Sequence, residues 1–202
     1  AGIGKTRLSR KFLAWAGAQG AELLQGGAFE SGSHLPFQPL VDAIRLRLEH
    51  ENSPKDLLGD VWWPPLSHLL PELQQRDQGL PPGSEERLNL EAEVTRAQLF
   101  EPIVQLTLLL AGRAPLVLFV DDLQWAASAT LDLLQYAIRR WQDSALRSSS
   151  TLLSSSGPLS FNGRVLLLVS VRSDALHPLT QAQQDGGLSG GSTGLMQRLN
   201  SA

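Results

Sequence analysis

An unbroken apolar run in the middle of the chain ends in two adjacent carboxylates. Residues 116–120 read Leu-Val-Leu-Phe-Val and are followed by Asp121 and Asp122. A run without polar alternation is typical of a parallel strand that is buried on both faces. A second, largely apolar run covers residues 165–171 and ends at Arg172. Because parallel strands are joined by long crossovers, usually helices, the two runs favour an α/β fold with a parallel sheet.

The segments around these runs show the helical spacing that such crossovers need. Apolar residues recur at helical intervals over 5–19 and 37–50, and residues 84–112 are mostly helical in pattern. Pro102 should kink or split the last of these helices. A further helix should follow the central strand, with Ser128 as its N-terminal cap.

Other stretches give weaker signals. Residues 21–29 form a candidate strand, although the glycine pair at 26–27 is unfavourable within a strand. We expect a helical, proline-rich insertion over about 37–83 and a flexible serine-rich loop over about 148–163. Residues 185–194 are rich in glycine, which predicts a flexible segment.

The first six residues read Ala-Gly-Ile-Gly-Lys-Thr, which match the last positions of the phosphate-binding pattern G-x-x-x-x-G-K-[ST]. Glycines let several backbone N–H groups face one anion, and a helix beginning near Lys5 would add the favourable N-terminal end of its dipole. Lys5 would neutralise β- and γ-phosphate oxygens, and the Thr6 hydroxyl would bind Mg²⁺. The alternative is a glycine-rich turn with a surface lysine and a helix-capping threonine.

The acidic pair should lie where open α/β sheets bind ligands, at the C-terminal ends of the strands. Asp121 would hold Mg²⁺ there, and Asp122 would orient or deprotonate an attacking water. Arg172 would end a neighbouring strand at the same edge and could contact a γ-phosphate. The alternatives are a solvated turn at 121–122 and an exposed strand-end arginine.

Composition excludes several classes of function. The formal net charge of −3 argues against a broad basic surface for nucleic acid. The chain has no Cys, so it can form neither a disulfide nor a thiolate metal site, which is compatible with a reducing cytoplasm. No stretch reaches the roughly 18–20 apolar residues of a membrane span, and the N-terminus does not resemble a signal peptide. Because Ala1 lies inside a motif and no Met precedes it, we expect a fragment of a longer protein.

With these residues placed, the chain resembles the ATPase domain of the STAND class of P-loop proteins, and most of all the AAA-type module of large LuxR-like bacterial regulators. Two motifs carry most of the resemblance: residues 118–126 (LFVDDLQWA) and residues 166–172 (LLLVSVR). Residues 1–7, 29–30, 35–44 and 96–101 match in order and spacing. The resemblance implies a single partial P-loop ATPase domain over 1–202, a three-layer α/β sandwich with Walker A and Walker B motifs.

The same resemblance implies roles for individual residues. ATP or ADP with Mg²⁺ would be held by Gly2, Ile3, Gly4, Lys5, Thr6 and Arg7, with the metal on Thr6 and Asp121. Asp122 would support hydrolysis, and Arg172 would act as a sensor. ADP would hold a closed form, and a signal with ATP would open it for self-association and output. That output is often transcription, through a DNA-binding domain elsewhere, so this segment itself would contact neither nucleic acid nor membrane.

Two departures from the family pattern affect these expectations. The family usually has Asp after Trp-Ala, where this chain has Ala127, with Ser128 as a possible substitute cap. The strand before the phosphate loop and the C-terminal lid are missing, which should leave a three-stranded parallel core with one open edge beside the strand ending at Arg172. We therefore expect weak nucleotide affinity from the fragment itself. A degenerate interaction scaffold and a faster motor or metabolic ATPase remain alternatives to a slow switch.

Overall fold

The computed structural model describes residues 4–32, 36–67, 69–70, 96–151 and 164–172. Its helices and strands, in chain order, are α1 (Lys5–Ala18), β1 (Glu22–Gly27), α2 (Gln38–Leu48), α3 (Pro54–Ser67), α4 (Arg96–Arg113), β2 (Leu116–Asp121), α5 (Ser128–Thr151) and β3 (Val165–Val169). Short 3₁₀ turns lie at Glu30–Gly32 and Leu123–Trp125. No helix in these ranges combines the length and apolar character needed to cross a bilayer.

The three strands form one parallel sheet in the order β1-β2-β3. Val120 of β2 pairs with Gly26 on one side and with Val169 on the other, so the strands end close to the same level. Their C-terminal ends therefore form a common border, called the carboxyl edge below. This confirms the α/β class with a parallel sheet, and β3 has a neighbour on only one side within the described residues.

Helices cover both faces of the sheet, because the central strand β2 is apolar on both. Val117 and Phe119 face Leu13 and Ala16 of α1 in a small cluster. Leu118 and the fully buried Val120 face a much larger core built from α2, α3, α4 and α5. The continuous apolar run that predicted a doubly buried strand is thus explained by α1 on one face of the sheet and by α2 to α5 on the other.

Two helices differ from the sequence expectations. Helix α5 continues to Thr151, so residues 148–151 are helical rather than the start of the serine-rich loop. Serine is tolerated in helices, and here it extends an already long helix whose nucleation is complete. The rest of that loop and the glycine-rich stretch lie outside the described residues. Helix α4 runs through Pro102 without being split, and its buried Ile103, Leu106 and Leu110 follow the proline.

Helices α4 and α5 are joined by a polar cluster around Glu101. The carboxylate of Glu101 accepts hydrogen bonds from the Tyr136 hydroxyl, from Arg140 Nη2 at 2.6 Å and from Gln105 Nε2 at 2.7 Å. Burial raises the pKa of Glu101, but the three donors outweigh burial and hold the pKa below its ordinary value. The cluster therefore stabilises the ionised carboxylate in the folded chain.

Replacing Glu101 by Gln should lower the free energy of unfolding at pH 7 by about 1–3 kcal/mol, since the donors lose a charged acceptor. Because the folded pKa lies below the unfolded value of about 4.3, the contribution is fully present above that pH and is lost as pH falls through the folded pKa. The difference between the variant and the wild type, measured by urea unfolding, should therefore shrink below about pH 4. Glu30→Gln, at an exposed position, is the control. A difference that stays constant with pH would contradict this assignment.

Candidate functional site

The N-terminus of α1 points toward the carboxyl edge. The C-terminal part of α1 packs near the start of the strands, where Trp15 and Ala16 share a cavity with Pro115 and Arg164. A helix that is joined through a short turn to the start of β1 must run antiparallel to the strands. Its first turn, with Lys5, Thr6 and Arg7, therefore lies at the end of the sheet where the acidic pair is found.

Gly4 caps this helix in a conformation that favours glycine. Its φ of 86° and ψ of 13° are left-handed, and Gly4 itself has no side chain that could cap the helix. The first N–H groups of a helix lack intrahelical carbonyl partners, so they are available to an anion. Lys5 is half-buried, whereas Thr6 and Arg7 are exposed. Gly2 and Ile3, the other predicted binding residues of this loop, lie outside the described residues.

The acidic pair lies at the end of β2, where the backbone leaves the extended conformation between Asp121 and Asp122. Asp121 is the last residue of β2, and its carbonyl accepts a hydrogen bond from Ala28 N–H at 3.0 Å. Asp122 adopts the left-handed conformation, with φ 53° and ψ 45°. Asp is one of the few non-glycine residues that tolerate this region. Both aspartates are half-buried at the carboxyl edge.

Two residues that the sequence analysis did not single out hold this pair. Ser170 Oγ donates a hydrogen bond to Asp121 Oδ1 and accepts one from Asp122 N–H at 2.9 Å. Gln124 Nε2 donates to Asp122 Oδ1 at 3.0 Å, and Gln124 Oε1 accepts from Arg172 N–H at 3.2 Å. The only signal in the sequence was that Ser170 interrupts an apolar run just before its end.

Arg172 lies at the carboxyl edge, as the sequence predicted for a residue that follows β3. Its backbone contacts the turn after the acidic pair, through Gln124, and its side chain is exposed. This placement brings Arg172 to the same edge of the sheet as the acidic pair. The contact of its guanidinium with a γ-phosphate stays a prediction.

The donor set at this edge fits a magnesium nucleotide better than a protein-only metal site. No group of three or more His, Cys, Asp or Glu side chains that could hold a metal occurs in the described ranges. Mg²⁺ is usually held by one or two carboxylates, together with waters and phosphate oxygens. A helix N-terminus that could take phosphate, and the Asp121 carboxylate that could take the hydrated cation, would meet that requirement.

The helix after the acidic turn begins at the residue that was expected to be its cap, so its cap position lies one residue earlier. Helix α5 starts at Ser128, and the N–H of Thr130 donates to the carbonyl of Ala127 at 2.9 Å. Ala127 is therefore at the N-cap position, and the expectation that Ser128 caps the helix is wrong. An alanine side chain has no oxygen that could accept from the first-turn N–H groups.

Ala127→Asp should raise the free energy of unfolding by about 0.5–2 kcal/mol, since aspartate can cap the first turn and complement the helix dipole. Urea unfolding at neutral pH would measure the gain. Ala127→Asn separates the cap from the charge, and it should give most of the same increase. An unchanged or lower stability in both variants would show that the helix start has no room for a side-chain cap.

Comparison with known proteins identifies the family to which this chain belongs. Residues 1–153 match the family model of the AAA ATPase domain, which covers more than half of the chain. A search of curated proteins returns no match, and neither does a search of solved structures. The matched range includes the residues of the predicted phosphate loop, the sheet strands β1 and β2, and the acidic pair. The parallel sheet flanked by helices has the P-loop NTPase architecture that this match implies, and the chain belongs to the AAA ATPase domain family.

Proposed function

We propose that this chain is an ATP-binding switch domain with slow Mg²⁺-dependent hydrolysis, which controls the self-association and output of a larger protein. The observation that carries the nucleotide part is one shared location. The Gly4-capped N-terminus of α1 and the Asp121–Asp122 pair both belong to the carboxyl edge. Ligands of open α/β sheets bind at that edge.

Each residue then has a defined task in the proposal. Lys5 and the N–H groups of the first turn bind the β- and γ-phosphates. The Thr6 hydroxyl and the Asp121 carboxylate hold Mg²⁺, which would neutralise charge on the phosphate oxygens. Asp122 orients or deprotonates the attacking water. Gly2, Ile3 and Arg7 complete the phosphate loop, and Arg172 senses the γ-phosphate.

The switch part of the proposal rests on the resemblance to STAND-class regulators. A switch keeps its triphosphate state long enough to signal, so we expect turnover on the order of 10⁻³ per second, as for an unassisted GTPase. A motor or metabolic ATPase would share the site but turn over much faster. The output would be transcription through a DNA-binding domain elsewhere in a cytoplasmic protein.

A second candidate, a scaffold without nucleotide binding, is favoured by Ala127. The side chain of Ala127 cannot cap the helix after the acidic turn, and in the resembled family this position usually has Asp. The presence of Lys5, Thr6, Asp121 and Asp122 argues for the ATP-binding candidate.

Calorimetry with ATP, ADP and Mg²⁺ on the full-length protein tests the proposal. The wild type should bind both nucleotides, and Lys5→Ala should weaken ATP binding by about 10- to 100-fold, because a charge-assisted contact contributes about 1.5–3 kcal/mol. Lys11→Ala, at an exposed position further along α1, is the matched control and should bind normally. A folded wild type that binds no nucleotide would refute the switch and support the scaffold.

A further inference from the structure

Ser170 occupies a fixed position between the ends of two strands. It follows β3 directly and is only 7% exposed. Its N–H donates to the Val120 carbonyl at 3.0 Å, and its carbonyl accepts from Leu123 N–H at 3.0 Å. The backbone of Ser170 therefore spans the acidic turn, with one bond before the aspartate pair and one after it.

The hydroxyl of Ser170 uses both of its hydrogen-bonding roles on the acidic pair. A serine hydroxyl has one proton to donate and lone pairs that accept. The proton goes to Asp121 Oδ1, and a lone pair accepts the N–H of Asp122 at 2.9 Å. One hydroxyl thus fixes the carboxylate of the first aspartate and the backbone of the second.

This double contact has a geometric consequence for both carboxylates. Asp121 Oδ1 is engaged, which fixes the rotation of the carboxylate about its own bond and sets the direction of Oδ2. Asp122 has a left-handed backbone that is uncommon for residues other than glycine, and such a conformation persists when neighbouring groups hold it. Gln124 fixes the Asp122 side chain from the other side, through Oδ1 at 3.0 Å.

We propose that Ser170 is a positioning residue for the metal-binding and water-orienting aspartates, acting through Asp121 and the Asp122 backbone without touching the nucleotide. This inference rests on the proposed function, since Ser170 would orient the two aspartates of that site. Because the serine directly follows β3 and the aspartates lie at the end of β2, the pairing of these two strands determines the orientation of the carboxylates. Loss of the hydroxyl should therefore affect the metal and the turnover more than the binding of phosphate.

Three variants of the full-length protein test the proposal. Ser170→Ala removes the hydroxyl, and Ser170→Thr restores it on a side chain that suits an extended backbone. Ser67→Ala is the matched control, because Ser67 is also buried and its hydroxyl donates to the Pro64 carbonyl at 2.8 Å, on α3. Each variant is measured for Mn²⁺ affinity of the ADP complex by electron paramagnetic resonance, for turnover at saturating Mg·ATP, for ATP affinity and for Tm.

Ser170→Ala should weaken Mn²⁺ binding and reduce turnover, each by about tenfold, while ATP affinity measured without a divalent metal stays within about twofold. Ser170→Thr should recover most of both losses, and Ser67→Ala should show neither. Wild-type Mn²⁺ affinity and turnover in Ser170→Ala would overturn the positioning role, as would losses that Ser170→Thr does not recover. A wild type that binds no nucleotide overturns the proposed function itself, and the role of Ser170 with it; the two failures are thus distinguished by the wild type alone.

Discussion

Asp122→Asn is expected to reduce the ATP turnover of this domain by about 100-fold or more, with ATP affinity within about twofold of the wild type. The expected loss is large because an amide cannot accept a proton from the attacking water, and it orients water less strongly than a carboxylate. Lys5 and the N-terminus of α1, which would hold the phosphates, are not changed. Binding and hydrolysis should therefore separate in this variant.

The structure indicates that this substitution should leave the conformation of the turn unchanged. The left-handed backbone at residue 122 suits Asn at least as well as Asp. The N–H of residue 122 keeps its bond to Ser170 Oγ, and the Oδ1 atom of Asn can still accept from Gln124 Nε2. The fold of the turn should thus survive, and a change in rate can be assigned to the lost carboxylate.

Single-turnover hydrolysis of radiolabelled ATP, with calorimetry beside it, would measure both properties. Asp56→Asn is the control, because that aspartate is exposed and belongs to α3 rather than to the turn after β2. Asp121→Asn should differ from both by weakening the metal dependence of binding. Equal turnover in Asp122→Asn and the wild type would remove Asp122 from the chemistry.

The parts of the fold that could be predicted from sequence are those with a local physical signal. The apolar run of β2 has no polar alternation, and this predicted burial on both faces. The helical spacing over residues 5–19 predicted α1 to within one residue at its end. The aspartate pair could be placed at the carboxyl edge because it follows that strand directly.

The parts that could not be predicted depend on contacts between distant segments. Ser170 and Asp122 are 48 residues apart, and only the pairing of β2 with β3 brings them together. Nothing in the local pattern of either segment reports that pairing. The start of α5 at Ser128 was missed for a different reason, because helix boundaries are decided within one residue by backbone geometry.

Gly26 shows how a misleading local signal arises from tertiary structure. A glycine pair weakens a strand prediction, yet Gly26 and Gly27 both belong to β1. The dihedral angles of Gly26 are not the reason, since its φ is not positive. The reason is space, because the first turn of α2 crosses directly over Gly26, and a Cβ there would lie 1.8 Å from the Pro39 carbonyl oxygen.

Gly26→Ala should therefore lower the free energy of unfolding by about 3 kcal/mol or more, at the upper end of overpacking effects. The added methyl meets backbone atoms of Pro39, which cannot rotate away as a flexible side chain would. Relief requires α2 to shift from β1, and that movement would disturb the buried Leu40 and Ile44 on the same helix. Shifting the start of α2 would also strain the 3.0 Å bond from Phe37 N–H to Thr130 Oγ1, which connects α2 to α5.

Gly27→Ala provides a control within the same strand. A Cβ at Gly27 would have the Phe29 ring as its nearest neighbour, at 3.6 Å, which is an ordinary van der Waals distance. Alanine also loses less backbone entropy on folding than glycine, so this variant should be close to the wild type or slightly more stable. Urea unfolding of the two variants should therefore give clearly different midpoints. If both lost stability equally, the close approach of α2 to Gly26 could not be the reason that β1 contains glycine at this position.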